Sequence, residues 1–229
     1  MKKFLSCFNR GALTLLFFGV LLICFSAKDT FDSLKPAVSF QDLLDGTEVK
    51  EGARVAGNVV YAMDYFASET SYTQYSDGSR SGDRESGNYY LIPTATGYIG
   101  LKSRQADVSA LNDLSEETFL YLTEGTEPHT EIYMQGTVTK MGDELTGYYR
   151  DYLGELGYSE AEIQAMGQPL LIDYISFGAV RVFFILGIAL IALAFFLMWR
   201  RYKRTEKRLK NMKSVDDLPD RPVEIQQNQ

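Results

Sequence analysis

Two uncharged apolar segments constrain this chain more than any other feature. Residues 11–27 (GALTLLFFGVLLICFSA) carry no charge in 17 positions, and residues 182–199 (VFFILGIALIALAFFLMW) carry none in 18. A helix of about 20 apolar residues crosses a bilayer core that is about 30 Å thick. A core helix of a soluble protein normally keeps a polar face, which the second segment lacks. Both segments are therefore predicted to be transmembrane helices.

The distribution of Lys and Arg predicts how the chain lies in the membrane. Lys2, Lys3 and Arg10 precede the first segment. The second segment is followed by a basic run, here called the membrane flank, which consists of Arg200, Arg201, Lys203, Arg204, Lys207, Arg208, Lys210 and Lys213. Positive charge beside a transmembrane segment favours the cytoplasmic side, and it attracts an anionic inner leaflet. We predict a plasma-membrane protein with both termini in the cytoplasm, and the lipid bilayer with its anionic inner leaflet as one partner.

These boundaries divide the chain into five parts. They are a cytoplasmic N-terminus (1–10), a first transmembrane helix (11–27), an extracytoplasmic domain (28–177), a second transmembrane helix (178–199) and a basic, then disordered, cytoplasmic tail (200–229). One alternative stays open for the first segment. A charged start, an apolar stretch and small residues also describe a signal peptide, which would be cleaved after Ser26 with Cys24 upstream.

The middle domain is strongly acidic. Residues 28–177 contain 10 Lys and Arg against 25 Asp and Glu, a net charge of −15, whereas the whole chain carries −7. A domain of that sign repels phosphate backbones, so we expect no nucleic acid as a partner. Both cysteines, Cys7 and Cys24, lie outside this domain. It must therefore fold without disulfides, which a domain of about 150 residues can do.

The hydrophobic pattern of residues 50–176 alternates between strands and helices. Residues 52–67 form a strand that bends at Gly57, and residues 89–102 form a hairpin. In residues 107–122 the apolar residues, including Leu111, Leu114 and then Phe119 and Leu122, have helical spacing, which predicts one broken helix or two short ones. The remaining predicted elements are a strand at 131–141, helices at 143–156 and 159–167, and a last strand at 170–175. Ser159 and Glu162 have the spacing of a capping box, which would open the second of these helices.

This order of elements resembles the OB-fold, a small β-barrel, with two helices inserted before the last strand. The predicted fold class is thus a membrane protein in which two transmembrane α-helices flank an α+β extracytoplasmic domain, OB-fold-like with inserted helices. The whole plan is also similar to uncharacterised two-pass membrane proteins of Gram-positive bacteria. That resemblance implies a location and no activity.

Motifs that carry chemistry are scarce in the sequence. His129 is the sole histidine and lies in a Glu- and Thr-containing loop, and no nucleotide, dinucleotide or zinc-protease motif is present. We expect no cofactor. The leading hypothesis is a non-enzymatic, membrane-anchored binding or scaffold module that recognises a protein or cell-envelope partner. The alternative is a cell-envelope hydrolase with an unrecognised active site.

One loop partly matches a calcium-binding pattern. Oxygen-bearing side chains occupy alternate positions from residue 77, namely Asp77, Ser79, Ser81, Asp83 and Glu85. The twelfth position is Asn88 where an EF-hand has a bidentate Glu, and Arg80 and Arg84 would oppose a cation. We therefore predict no metal site at this loop.

Tyrosine is enriched in the middle domain, which holds 14 of the 15 tyrosines. OB-like barrels bind ligands on the face formed by strands 2 and 3. Tyr89, Tyr90 and Tyr98 lie on the corresponding predicted hairpin, so they are the candidate ligand or partner surface.

The glycines of the two apolar segments predict a loose helix pair. Gly11, Gly19, Gly178 and Gly187 form no pair spaced four residues apart. Close helix packing in membranes commonly uses that spacing. We therefore expect ordinary side-chain packing between the two helices.

Overall fold

The computed structural model describes residues 10–216, with side chains for 10–208 and 210. The helices are α1 Arg10–Asp32, α2 Phe40–Leu44, α3 Val108–Glu124, α4 Asp143–Glu155, α5 Glu160–Ala165 and α6 Phe177–Asp216. The strands are β1 Ala37–Val38, β2 Arg54–Asn58, β3 Tyr65–Ser71, β4 Arg84–Thr94, β5 Gly97–Lys102, β6 Tyr133–Lys140 and β7 Leu170–Tyr174. A 3-10 turn, Gln105–Asp107, precedes α3.

The chain divides into two units. Residues 29–178 form the central domain, and the described part of the other, helical unit consists of residues 10–28 and 179–216. The central domain is an α+β unit, as expected for the middle of the chain.

The strands of the central domain form one mixed sheet in the order β1-β2-β6-β7-β5-β4-β3. The β1–β2 and β5–β7 pairs are parallel, and the other neighbours are antiparallel. Residues 59–64 connect β2 to β3, which lie far apart in this order. The Val59 N–H donates to the Ile132 carbonyl (2.9 Å), and the Met63 N–H donates to the Leu91 carbonyl (2.8 Å). One end of the connection is therefore hydrogen-bonded to the residue before β6, and the other end is hydrogen-bonded to β4.

Side-chain alternation along the strands builds two apolar cores. Tyr90 and Ile92 of β4 and Ile172 of β7 belong to the first core, together with residues of α2 and α3. Leu91, between Tyr90 and Ile92, and Leu171, next to Ile172, belong to the second core with residues of α4 and α5. Because successive side chains of a strand point to opposite faces, the sheet carries α3 on one face and α4 and α5 on the other.

The ends of the helices follow local sequence signals. The predicted capping box is confirmed: Ser159 accepts from the Glu162 N–H, and Glu162 accepts from the Ser159 N–H. A second capping box, Ser39 with Asp42, opens α2. Gly125, in the left-handed conformation (φ +79°), ends α3.

The predicted helical segment is confirmed as α3, but α3 is one continuous helix, so the prediction of a break or of two short helices was wrong. Leu111 and Leu114 are buried, but Phe119 and Leu122 are exposed. Phe119 and Leu122 are helical, as their spacing predicts, but their side chains lie outside the core, because the buried stripe of α3 ends at Thr118.

The predicted strand at 52–67 is two strands, β2 and β3, separated at residues 59–64. The predicted hairpin is confirmed and is longer than expected, since β4 already begins at Arg84. The predicted helix at 143–156, the strand at 131–141 and the last strand at 170–175 correspond to α4, β6 and β7.

In the helical unit, α1 and α6 are each long and apolar enough to cross a membrane. Helix α6 continues through the membrane flank to Asp216. Three residues of the tail that we predicted to be disordered, 214–216, are therefore helical, and 217–229 lie outside the described residues, as do residues 1–9 of the predicted cytoplasmic N-terminus.

The two apolar helices approach closely at a pair of glycines. A Cβ added to Gly19 would lie 2.9 Å from the Gly187 carbonyl oxygen and 2.7 Å from Ile191 Cγ1, and a Cβ on Gly187 would lie 2.9 Å from the Gly19 carbonyl oxygen and 2.8 Å from Ile23 Cγ1. The prediction of a loose contact was wrong. The buried small residues of the two helices are spaced seven residues apart instead of four. They are Ala12, Gly19 and Ser26 in α1, and Gly187 and Ala194 in α6.

Candidate functional site

The three candidate tyrosines do not form one exposed surface. Tyr90 is completely buried, and its hydroxyl donates to Asn112 Oδ1 at 2.6 Å. Tyr89, on the opposite face of β4, is partly buried, and Lys102 Nζ lies 5.7 Å from its ring centroid. The Tyr98 hydroxyl lies 3.0 Å from the Tyr158 hydroxyl. Tyr90 therefore cannot contact a partner, because the first core encloses it.

Helices α4 and α5 cover the sheet face on which Tyr89 and Tyr98 lie. Tyr149 of α4 is buried there, and its hydroxyl donates to the Tyr98 carbonyl oxygen at 2.9 Å. Burial raises the pKa of Tyr149 to about 12. The pKa of Tyr98 is also raised, first by burial and then by the hydrogen bond with Tyr158. This face is internal packing between the sheet and the two inserted helices.

Lys102 and Glu69 form an ion pair beside Tyr89, with Lys102 Nζ 2.8 Å from Glu69 Oε1. The Ser86 hydroxyl also donates to Glu69 Oε2, at 3.2 Å. The Lys102 hydrogen bond is the largest cause of a lowered Glu69 pKa. The ion pair links β3 to β5 across β4, so it joins two strands that do not pair with each other directly.

The loop with the calcium-like pattern is only partly a loop. Glu85 lies in β4, opposite Thr70 of β3, and Asn88 lies deeper in the same strand. Asp77 Oδ1 accepts hydrogen bonds from the backbone N–H (2.9 Å) and hydroxyl (2.6 Å) of Ser79. This Asx-type turn lowers the pKa of Asp77. Among the described residues, no group of three or more His, Cys, Asp or Glu side chains is placed to hold a metal ion.

His129 contributes its backbone to a structural contact. The Glu117 carboxylate accepts from the His129 N–H (2.7 Å), the Thr130 N–H (2.8 Å) and the Thr130 hydroxyl (2.9 Å). These donors, the Thr130 N–H first, lower the pKa of Glu117. The carboxylate thus fastens the loop after α3 to that helix, while His129 is exposed and lines neither of the cavities described next.

A predominantly polar cavity of about 400 Å³ lies in the central domain. Its lining includes Lys50, Glu51, Tyr98 and Lys140, and Lys140 Nζ lies 3.5 Å from Glu51 Oε2. The charges of this cavity are mixed and partly paired. Tyr98 is the candidate tyrosine that reaches a cavity wall.

A second cavity is a groove between α3 and α4 with a volume of about 550 Å³. We call it the α3–α4 groove. It is lined by Met63, Asp64, Tyr65, Asn112, Ser115, Glu116, Phe119, Leu120, Tyr152 and Leu156. Phe119 is 65% exposed and Leu120 is 41% exposed. A groove with large apolar side chains open to solvent is typical of a binding surface.

The charged lining of the α3–α4 groove is acidic only. Asp64 and Glu116 are both exposed, and the Asp64 carboxylate accepts a hydrogen bond from the Tyr65 N–H at 2.8 Å. The groove therefore combines apolar walls with negative charge. Sequence reasoning missed it, although residues 119–122 (FLYL) carry a signal: four consecutive large apolar side chains cannot all face one side of a helix.

The residues of the membrane flank lie on the continuation of α6, as far as their side chains are described. Lys203 Nζ lies 4.3 Å from the Trp199 ring centroid, and Lys210 Nζ lies 3.1 Å from Glu206 Oε1. The side chain of Lys213 lies outside the described set.

The chain belongs to the family described as a domain of unknown function (DUF8577), whose family model matches residues 2–199. No curated protein and no solved structure matches the chain. The matched region includes α1, the central domain and the apolar part of α6. It ends at Trp199, where the membrane flank begins.

Proposed function

We propose that this member of the DUF8577 family is a non-enzymatic, membrane-anchored module whose central domain lies outside the plasma membrane and docks a protein of the cell envelope. Both termini are cytoplasmic in this proposal. The observation that carries it is the α3–α4 groove, an apolar surface with acidic charge on a domain that is itself strongly acidic.

The orientation rests on the basic flanks of the two apolar helices. Lys2, Lys3 and Arg10 lie before α1, and the membrane flank follows the apolar part of α6. Both sets favour the cytoplasmic side. The packing of Gly19 against Gly187 also supports an uncleaved first segment, because a removed signal peptide would leave this helix contact unmade.

The sheet of the central domain supports an OB-like barrel. If β2, residues 59–64 and β3 are taken as one bent first strand, that strand pairs with β6 at one end and β4 at the other. The β4–β5 hairpin, the parallel β5–β7 pair and the position of α3 between β5 and β6 agree with that fold. The ligand face of such a barrel would then lie under α4 and α5, so the docking surface is placed at the α3–α4 groove instead.

The groove favours a partner segment that has apolar side chains and positive charge. Phe119, Leu120 and Leu156 offer apolar area, and Asp64 and Glu116 offer two carboxylates. Desolvated aromatic and apolar side chains supply most of the affinity of a protein interface, while charge complementarity speeds association and excludes wrong partners. An exposed basic amphipathic helix or loop of an envelope protein fits this chemistry.

Photo-crosslinking in cells tests the proposal. A photoreactive phenylalanine analogue replaces Phe119, or in the control replaces Tyr133, an aromatic residue of β6 with 59% exposure. We expect one discrete crosslinked protein from position 119 and none at the same mass from position 133. The same product must disappear when Glu116→Lys is added to the Phe119 derivative.

Equal crosslinking from both positions, or a product insensitive to Glu116→Lys, would contradict docking at this groove. The Glu116→Lys variant is chosen because Glu116 is exposed on α3 and has no ion pair within the described residues. Its substitution therefore changes the charge of the groove with little effect on stability.

A further inference from the structure

The four arginines of the membrane flank line a single groove of the helical unit. Arg200, Arg201, Arg204 and Arg208 surround a space of about 810 Å³ between the start of α1 and the end of the apolar part of α6. Arg201 and Arg208 follow Ala194 at intervals of seven residues. They therefore continue the side of α6 that packs against α1 through Gly187 and Ala194.

The remaining walls of this arginine groove are mainly apolar. Ala12 and Leu15 of α1 form one wall, and Leu197 and Met198 of α6 form another. The apolar wall residues belong to the membrane-spanning parts of α1 and α6, and the arginines lie just beyond the apolar part of α6. The groove is thus amphipathic along the axis of the helices, with hydrocarbon contact at one end and positive charge at the other.

The lysines of the same run whose side chains are described, Lys203, Lys207 and Lys210, do not line the arginine groove. Lys203 and Lys207 line a neighbouring cavity of about 250 Å³ beside Trp199, whose lining also includes Arg200 and Arg204. Lys210 pairs with Glu206, the sole carboxylate of residues 198–213. Within the described residues, none of the four arginines forms an ion pair. All four arginines therefore reach the groove beside α1, whereas Lys203, Lys207 and Lys210 do not, a difference that a general positive charge would not require.

Arginine is the side chain suited to phosphate, because its planar guanidinium donates two parallel hydrogen bonds to neighbouring oxygens. Basic pockets between transmembrane helices at the cytoplasmic border bind anionic lipid headgroups. We propose that the arginine groove binds one anionic phospholipid, with the headgroup phosphate on the guanidinium groups and an acyl chain along the apolar walls. This inference is independent of docking at the α3–α4 groove.

The test uses the full-length protein in a neutral detergent and phosphatidylglycerol as the probe. Native mass spectrometry counts the lipids that remain bound as the lipid concentration is raised. We expect one phosphatidylglycerol per chain, bound more tightly than phosphatidylcholine. The variant R201Q/R204Q/R208Q should bind it on the order of a hundredfold more weakly.

A matched control removes the same number of charges from three positions of α6 that do not line the arginine groove. K203Q/K207Q/K210Q should bind phosphatidylglycerol within about threefold of the unchanged protein. Equal weakening in both variants would show diffuse charge attraction and would overturn the proposal, as would equal binding of phosphatidylcholine. Displacement of the lipid by an equal concentration of inorganic phosphate would show a small-anion site and would overturn it as well. Glutamine is used because it preserves helix propensity.

Discussion

Tyr149 connects α4 to the sheet through one buried hydrogen bond. Its hydroxyl donates to the Tyr98 carbonyl oxygen at 2.9 Å, and the side chain is buried. Loss of a buried hydrogen bond costs about 1 kcal/mol, more when the partner is left without a donor. Tyr149→Phe should therefore lower the melting temperature of the full-length protein by about 2–4 °C.

The adjacent tyrosine of α4 serves as the control. Tyr148 is exposed, and its hydroxyl lies 3.5 Å from Glu144 Oε1, a marginal contact. Tyr148→Phe should leave the melting temperature unchanged. A drop of equal size in both variants would contradict the assignment of the α4–sheet contact to the Tyr149 hydroxyl.

The same residue predicts a loss of stability at alkaline pH. Burial raises the pKa of Tyr149 to about 12 in the folded protein, whereas an unfolded tyrosine ionises near pH 10. The unfolded state therefore releases its proton first, and the stabilisation present below pH 10 is lost as the pH rises through about 12. Melting temperature measured across this range should fall less steeply for Tyr149→Phe than for the unchanged protein. Parallel curves would refute a contribution from this hydroxyl.

At the scale of single elements, β6 depends on a glycine at its centre. Gly136 pairs with Val55 of β2 and with Tyr174 of β7, and a Cβ at this position would collide with the Asp173 carbonyl oxygen. Gly136→Ala should force β6 and β7 apart and destabilise the protein by about 1–3 kcal/mol. Thermal unfolding of the full-length protein measures the change.

For Gly147, within α4, we expect the same substitution to raise the stability instead of lowering it. A Cβ there would meet nothing within 4 Å. Gly147→Ala should stabilise the protein by about 0.5–1 kcal/mol, because alanine has less backbone entropy to lose in a helix. If both glycine substitutions destabilised the protein equally, the close approach at β6 would not be the cause.

The pairing of α1 with α6 is also decided at the element scale. The contacts of Gly19 with Ile191 and of Ile23 with Gly187 show that the helices run antiparallel. Ala12 lies seven residues before Gly19 and Ala194 lies seven residues after Gly187, so antiparallel packing brings them to the same end of the helix pair. Both are buried. We expect Ala12→Cys and Ala194→Cys, in a chain with Cys7→Ser and Cys24→Ser, to form a disulfide on oxidation.

The glycine contact is tested by adding a large side chain to the same cysteine pair. Gly187→Leu should abolish the disulfide, because its side chain would enter the space of the Gly19 backbone. Ala192→Leu, at an exposed position of the same helix, should preserve it. Disulfide yield after proteolysis of the central domain reports the result, and persistence of the crosslink with Gly187→Leu would refute close glycine packing.

At the scale of the whole molecule, the proposed topology predicts which surfaces reach the outside of the cell. Ser81 lies in the loop between β3 and β4 of the central domain. In the same cysteine-free background, Ser81→Cys should react with a membrane-impermeant thiol reagent in intact cells. A cysteine at Lys203 should react only after the membrane is permeabilised. The reverse pattern would place the central domain in the cytoplasm.

Local sequence signals predicted much of the fold. Several elements depend on residues that are neighbours in sequence. They are the two apolar segments, the β4–β5 hairpin, the strand β6 and the N-terminal cap of α5 at Ser159. Hydrophobic period, turn residues and capping boxes are properties of short windows. These patterns predict the observed elements because the contacts behind them form within one element or between adjacent residues.

The candidate site could not be read in the same way. Tyr90 and Tyr89 are adjacent in sequence, yet one is enclosed by the first core and the other lies under α4 and α5. Which face of a strand is covered depends on where distant helices pack, and alternation alone does not specify it. The same reason explains Phe119, whose spacing is helical although the buried stripe of α3 ends at Thr118.

The sequence by itself therefore determined the two apolar helices, the charge of the middle domain and most element boundaries, because these follow from composition and from contacts within a few residues. Only the tertiary structure decided the α3–α4 groove, the arginine groove between α1 and α6, and the contact of Gly19 with Gly187. Each of these joins segments far apart in the chain. Which distant segments come into contact depends on how side chains pack closely and exclude water, and a short stretch of sequence does not specify this.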